Sequence, residues 1–255
     1  MKKIVAFDLD GTLALSKQPL ADEMAELLTQ LLTVAQVAVI SGGDWPQFQK
    51  QVASRLPDHA DLSRLWMMPT SGAKLYLHRE GEWEAVYAEL FSEEQKREIL
   101  EAFDAALAAT GFTPEETWGE RIEDRGSQIT FSALGQQAPL DAKEHWDPDF
   151  AKRKVIQADL IKRLPGVSIN LGGATSVDVT QPGVDKAWGL RRLSERSGVA
   201  EADILFIGDA IFPGGNDYPA TTMGLDTVCV RDAADTANVI AAIIACQKNE
   251  VVRIS

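Results

Sequence analysis

Cysteine is nearly absent from this sequence. Cys229 and Cys246 are its two, each in an apolar or helical stretch. They make neither a disulfide framework nor a sulfur-based metal site. Histidine is almost as scarce: His59, His78 and His145 stand in polar stretches away from every motif below and read as surface residues. Positive charge is short as well, with 25 Lys+Arg against 38 Asp+Glu and a net charge of −13. Nucleic acid or an anionic membrane would need a clustered positive face, so neither is expected as a partner. An anionic substrate would have to find its cations in the site itself. No apolar run reaches the ~20 residues that span a bilayer. The N-terminal MKKIVAFDLD places acids inside its apolar stretch, unlike a secretion signal. These absences predict a folded chain in a reducing, cytoplasmic setting. Its 255 residues, 45% hydrophobic and 25% charged, suffice for a sizeable core without covalent staples.

The apolar residues are grouped in a way that alternates strand and helix. KIVAF at 3–7 is a short apolar run ending in acids, as a buried parallel strand does. Residues 20–34 show helical spacing, and QVAVI at 36–40 is a second buried strand ending in Ser41-Gly42-Gly43. Asp44 is placed to cap a helix running to about residue 56. LWMMP at 65–69 is a third apolar run, and KLYLHREGEWEAVY reads as a hairpin around Gly81. The texture then changes. Ser92-Glu93-Glu94 opens a helix to about Ala109, half-polar alternating stretches occupy 118–125 and 127–134, and Asp147-Pro148 opens another helix. VSINL at 167–171 and TSVDVT at 175–180 alternate too. Beyond Gly183 the first pattern returns: a helix from Lys186, DILFIGD at 203–209, DTVCV at 226–230 and a last helix from Asp232. This pattern predicts an α/β protein with a doubly wound parallel-sheet core from 1–81 and 185–255, carrying an inserted α+β unit at 82–184.

In such a sheet ligands bind beyond the carboxyl ends of the strands. Four of those ends carry polar clusters: Asp8-Leu9-Asp10-Gly11-Thr12, Ser41-Gly42-Gly43, the helix start at Lys186, and Gly208-Asp209 with Asn216-Asp217. Carboxylates gathered at one edge repel unless a cation lies between them. An all-oxygen set without His or Cys suits the hard ion Mg²⁺. With Lys186 and the Ser41 hydroxyl, the set describes a phosphate-transfer site. Asp8 can accept the phosphoryl group, and Asp10, on the turn, can serve as acid and base for the leaving and attacking oxygens.

FDLDGTL resembles the first motif of the haloacid-dehalogenase superfamily, Ser41 its second, Lys186 its third and GDAIFPGGND its fourth. Within that superfamily PGGND is similar to eukaryotic-type phosphomannomutases. So are AVISGGDWPQFQKQV, PTSGAKLYLHREGEW, DRGSQITFSALGQ and GGATSVDVTQPGVDKAWGL, in order along nearly the whole chain. The resemblance implies a HAD-like core with a type-IIB cap, Mg²⁺ dependence and a phosphorylated hexose as substrate. It implies Asp8 as nucleophile, Asp10 as acid/base, and Mg²⁺ held by Asp8, Asp10 (through its carbonyl) and Asp209, with Asn216 and Asp217 in support. Ser41, Gly42 and Lys186 would hold the transferring phosphoryl group. Arg125 would grip the sugar's other phosphate, and Ser176 and Asp178 would take a phosphate and a sugar hydroxyl. Caps of this family often pair, which implies a homodimer through the cap.

Three positions depart from the family pattern. Lys17 and Gln136 stand where the family carries arginines, and Lys143 aligns loosely with a third. An arginine fork grips phosphate at two points and a lysine at one. A mutase must retain a bisphosphorylated sugar while it turns round, whereas a phosphatase need not. These departures favour a sugar-phosphate phosphatase, with hexose-phosphate mutase as the alternative. Arg121, four residues before Arg125, would share its side of a strand. Two rivals from other classes are weaker. A signalling receiver domain has no hundred-residue insertion between acceptor and lysine, and a non-catalytic sugar-phosphate binder would not need both Asp8 and Asp10.

Overall fold

Apolar runs of four or five residues, too short for helices, become the central strands. A computed structural model describes residues 2–251 apart from 113 and 115. β1 (Ile4–Phe7), β2 (Gln36–Ile40) and β3 (Leu65–Met68) are separated by α1 (Asp22–Leu32) and α2 (Trp45–Gln51), and a hairpin of β4 (Lys74–Arg79) and β5 (Glu82–Ala88) follows. The insertion comprises α3 (Glu93–Thr110), β6 (Ile122–Asp124), β7 (Gln128–Ser132), α4 (Leu140–Trp146), α5 (Ala151–Arg163), β8 (Ser168–Leu171) and β9 (Ser176–Thr180). The chain returns through α6 (Lys186–Ser197), β10 (Ile204–Gly208), α7 (Tyr218–Thr222), β11 (Asp226–Cys229) and α8 (Ala233–Val251). No helix among the described residues is long and apolar enough to cross a membrane.

The core sheet has the order β11-β10-β1-β2-β3-β4-β5. Its first five strands are parallel, and β4 runs antiparallel to β3, so the sheet is mixed rather than wholly parallel. Both faces of β1, β2, β3 and β10 are buried, which is why these four strands lack polar alternation. Val5, Phe7, Val37, Val39 and Met67 pack with Leu28 and Leu31 of α1, Phe48 of α2 and Ile240 of α8. Ile4, Ala6, Ala38, Ile40 and Phe206 pack on the other face with Leu190 and Leu193 of α6. Glu80 (φ 51°) and Gly81 (φ 88°) supply the two left-handed residues of a tight hairpin turn.

The compact units are Met1–Tyr87 with Lys186–Ser255, and Ala88–Asp185. The boundary expected at residue 82 therefore shifts, because β5 completes the edge of the core sheet beside β4. A strand whose hairpin partner pairs within a sheet stays with it, since the hairpin's own hydrogen bonds tie the two strands together.

The inserted unit is a four-stranded antiparallel sheet, β6-β7-β9-β8, with helices on one face. Ile129, Phe131, Val177 and Val179 meet Ile99 and Phe103 of α3 and Ile156 and Leu160 of α5. Ser92 begins α3 as expected: its hydroxyl accepts from Gln95 N while the Gln95 side chain accepts from Ser92 N. Asp147 acts differently from the helix opener expected there. α4 precedes it, α5 starts at Ala151, and Asp147 is buried against Arg153. Arg153 Nε donates to Asp147 Oδ2 at 2.8 Å, and the main-chain N–H groups of Lys152 and Arg153 also donate to its carboxylate. Burial works against the Asp147 charge, but these donors outweigh it and hold its carboxyl below the ordinary range.

Two stability outcomes follow from these contacts. Ser92→Ala should cost about 1 kcal/mol by loss of the cap. Arg153→Ala should cost about 3–5 kcal/mol, because it strands a buried carboxylate. The Asp147 contribution should be complete above the ordinary carboxylate range and lost as pH falls through its depressed value. Urea unfolding of the three proteins at neutral and acid pH measures all of these; equal midpoints for Arg153→Ala and wild type would contradict the buried-pair account.

Candidate active site

Parallel strands deliver their carboxyl ends to one edge, and the charged residues leave from that edge. Asp8 follows β1, Ser41 follows β2 and Asp209 follows β10, while Asp217 precedes α7 and Lys186 begins α6. Carboxylate oxygens of Asp8, Asp209 and Asp217 all lie within 4.8 Å of one another. The Lys186 side chain, 2% exposed, ends among them. Its Nζ donates to Asp8 Oδ1 at 2.5 Å and to Asp217 Oδ1. Asp217 Oδ2 accepts from Ala210 N at 3.0 Å. Thr12, fully buried, donates its hydroxyl to Asp209 Oδ1 at 3.3 Å. Gly11 (φ 91°) leaves the space this needs, since a Cβ there would stand 2.5 Å from Asp209 Oδ2.

One ammonium faces three carboxylates. Burial raises the Asp8 carboxyl well above the ordinary range, Asp217 and Asp209 add to the rise, and Lys186 opposes it. Burial and the neighbouring Asp217 raise Asp209 as well. For Lys186 burial disfavours the charge, but Asp217 and Asp8 outweigh it and raise its value, so it remains an ammonium. A buried all-oxygen cluster with excess negative charge fits a hard divalent cation.

The other expected core residues are placed as follows. The Asp10 carboxylate is outside the cluster. Its Oδ1 accepts from Lys17 N at 2.7 Å and Gln51 Nε2 at 3.1 Å, and its Oδ2 accepts from Gln47 Nε2 at 3.0 Å. Lys17 thus meets Asp10 through its backbone. Ser41 is buried, its carbonyl accepting from Ser71 N at 2.8 Å, and Gly42 beside it is half-buried. Asn216 is exposed on the loop before α7. Asp44 bonds Lys74 Nζ at 2.6 Å instead of capping α2 with its side chain. Trp45 stacks on Tyr76, with centroids 3.9 Å apart, so it is a packing residue. His78 packs edge-on against Trp83 and is half-buried rather than a surface residue. Thr12, Gln47, Gln51 and Lys74 carry no signal that spacing alone singles out, except that Gln47 and Gln51 lie one turn apart on α2.

In the inserted unit, strand register puts Glu123, Thr130, Asp178 and Asn170 in one row. The row alternates with the apolar row containing Phe131 and Val177, so it lies on the face away from the helices. Ser176 and Ser132 share a hydroxyl–hydroxyl hydrogen bond at 3.0 Å. Arg125, buried, donates to Glu123 Oε2 at 2.7 Å. Burial raises the Asp178 carboxyl, opposed by Arg125. Arg121, which alternation alone would put on the side of Arg125, contacts Phe131. Its guanidinium lies over Phe131, 5.0 Å from the ring centroid, and Nε donates to Ala133 O at 3.1 Å, while its carbonyl accepts from Ser132 N. Gln136 and Lys143 are half-buried, Gln136 N donating to Glu120 O at 3.0 Å and Lys143 lying in the last turn of α4.

The raised value of Asp8 has a measurable result. The folded chain holds that proton more tightly than the unfolded chain, so ionising Asp8 costs stability as pH rises from the ordinary carboxylate range through the raised value. In chelator near neutral pH, Asp8→Asn should melt at or above the wild-type temperature, and the difference should shrink in acid. A markedly lower melting temperature near neutral pH would mean that the Asp8–Lys186 pair is net stabilising.

Known proteins resemble this chain along most of its length. A family model described as eukaryotic phosphomannomutase matches residues 24–245. A phosphomannomutase of Spinacia oleracea is 26% identical over 223 residues, covering 84% of each chain. One of Saccharomyces cerevisiae is 28% identical over 221 residues, covering 84% of this chain and 83% of its own. Among solved structures, Plasmodium falciparum IMP-nucleotidase superposes with a TM-score of 0.71 at 18% identity, over 95% of this chain and 70% of that one. A haloacid dehalogenase-like hydrolase from Bacteroides thetaiotaomicron gives 0.61 at 15% identity, over 95% and 100%. The structures share the fold, a HAD-like α/β core with a separate antiparallel cap sheet. By the extent of the family match, the chain belongs to the eukaryotic phosphomannomutase family of the haloacid-dehalogenase superfamily.

Proposed function

We propose that this enzyme isomerises hexose phosphates by phosphoryl transfer through an aspartyl-phosphate on Asp8. The observation that carries the reading is the family match across 24–245 with Asp8, Lys186 and Asp217 joined in one buried arrangement. The curated relatives, named phosphomannomutases, favour isomerisation over the hydrolysis expected from Lys17 and Gln136. Hydrolysis stays as the second reading because Gln136 brings no charge to a distal phosphate.

Asp8, the Asp10 carbonyl and Asp209 would hold Mg²⁺, with Asn216 and Asp217 in support, and the bound ion would neutralise charge on the phosphoryl oxygens. Asp8 attacks phosphorus in its ionised form; Lys186 favours that form against the opposing effects of burial, Asp217 and Asp209, and a bound cation would favour it further. Lys186, Ser41 and Gly42 steady the moving phosphoryl oxygens. Asp10 gives a proton to the departing sugar oxygen and later takes one from the attacking hydroxyl. For the sugar and its second phosphate the inserted unit offers Arg125, Ser176, Asp178 and Lys143, and the core unit offers Lys17.

The test incubates the protein and Mg²⁺ with mannose 1-phosphate or glucose 1-phosphate, with and without a hexose bisphosphate, and follows inorganic phosphate and 6-phosphosugar together. Many 6-phosphosugar molecules per phosphate released are expected with the bisphosphate, and neither product in excess chelator. Asp209→Ala should raise the Mg²⁺ concentration needed. Phosphate as the sole product in every condition would assign hydrolysis instead. A charge-assisted phosphate contact is worth about 1.5–3 kcal/mol, so Gln136→Arg should raise the ratio of isomerisation to hydrolysis roughly ten- to a hundredfold.

A further inference from the structure

Three N–H groups close on the Asp10 carboxylate, and each comes from a local feature that ordinary packing does not require. Lys17 donates its backbone N–H to Oδ1 at 2.7 Å from a left-handed conformation, φ 59°, which crowds its Cβ. Gln47 donates Nε2 to Oδ2 at 3.0 Å with its amide folded over Gly43, where a Cβ would stand 2.5 Å from Gln47 Oε1. Gln51 donates Nε2 to Oδ1 at 3.1 Å and to Gln18 O at 2.6 Å. Gln51 is 1% exposed, and its Oε1 is buried without a hydrogen-bond partner among the described residues. An orphaned amide oxygen is unfavourable, and an apolar side chain of the same volume would avoid it. The α2 helix therefore keeps an under-satisfied glutamine, a second glutamine one turn away and a glycine beside it, all directed at one carboxylate.

We propose that Gln47 and Gln51 are positioning residues that orient Asp10 for proton transfer at the sugar oxygen. This rests on the reading of Asp10 as acid and base given above. In the first half-reaction an Asp8 oxygen bonds to phosphorus and the bridging phosphorus–oxygen bond breaks. The bond's electron pair stays on the sugar oxygen, which takes the proton from Asp10. The carboxylate left on Asp10 then accepts from the two amides and the Lys17 N–H. In the second half-reaction the attacking hydroxyl returns its proton to Asp10 as its oxygen bonds to phosphorus and the Asp8–phosphorus bond breaks. Without the amides the Asp10 carboxyl can turn about its side-chain bonds, and proton delivery loses its alignment.

Leaving groups separate this role from a structural one. A sugar oxygen departs with a proton, whereas p-nitrophenolate departs without one. Gln47→Met and Gln51→Met keep side-chain volume and remove the donor. Single-turnover release of sugar from a hexose phosphate should slow roughly tenfold or more in each, and release of p-nitrophenol from p-nitrophenyl phosphate should stay within about twofold, with KM unchanged. Asp10→Asn, run in parallel, should show the same selectivity with a larger loss of sugar release. If the glutamine variants slow both leaving groups equally, or neither, while Asp10→Asn is selective, the positioning role is refuted and Asp10 keeps its own. If Asp10→Asn is not selective, the acid/base reading itself falls and the positioning role with it. Should Gln51→Met not fold, the half-buried Gln47→Met carries the test.

Discussion

A buried ammonium holds this active site together. Lys186 ends in a volume that excludes water, and its charge is tolerable there because Asp8 and Asp217 both accept from it. Its partners lie 178 and 31 residues away in the chain. Three separate pieces of backbone must arrive together: the end of β1, the start of α6 and the loop before α7. The parallel order β10-β1-β2 brings them to one edge. The apolar faces of those strands, sealed by α1 and α8 on one side and α6 on the other, provide the free energy that keeps the carboxylates crowded. A cluster with surplus negative charge is a strained resting state, and a divalent cation bound there would relieve it.

The inserted unit is built by the opposite arrangement. Its sheet buries one face under α3 and α5 and leaves the other polar, so alternation along each strand separates structure from chemistry. Phe131 and Val177 belong to the core of that unit, while Thr130 and Asp178 belong to the polar row. Its charged residues also divide by role. Arg153 is locked to Asp147 inside the fold, and Arg121 is spread over Phe131. Arg125 stands beside Asp178, where the two influence each other electrostatically. Counting arginines therefore misjudges this cap: the burial and partner of each decide what it is available for.

The sequence alone determined the strand and helix alternation of the core, the presence of an α+β insertion and the motif residues that follow β1, β2 and β10 and begin α6. These are legible because burial on two faces writes unbroken apolar runs, burial on one face writes alternation, and chemistry writes polar residues where a run stops. The family was legible for the same reason, since FDLDGTL, Lys186 and PGGND stand in order with the right elements between them. Tertiary structure alone decided the rest. The allegiance of β5 depends on pairing with β4, the displacement of the α5 start depends on Asp147 turning inward to Arg153, and the seat of the Arg121 guanidinium depends on the Phe131 ring. Most of all, it decided that the Asp10 carboxylate faces Gln47 and Gln51 of α2 while Asp8 faces Lys186. The sequence suggests different roles for Asp8 and Asp10 but not the neighbours of either. Distant segments offer one of them amides and the other an ammonium, because hydrogen bonds and buried charges are set by neighbours in space.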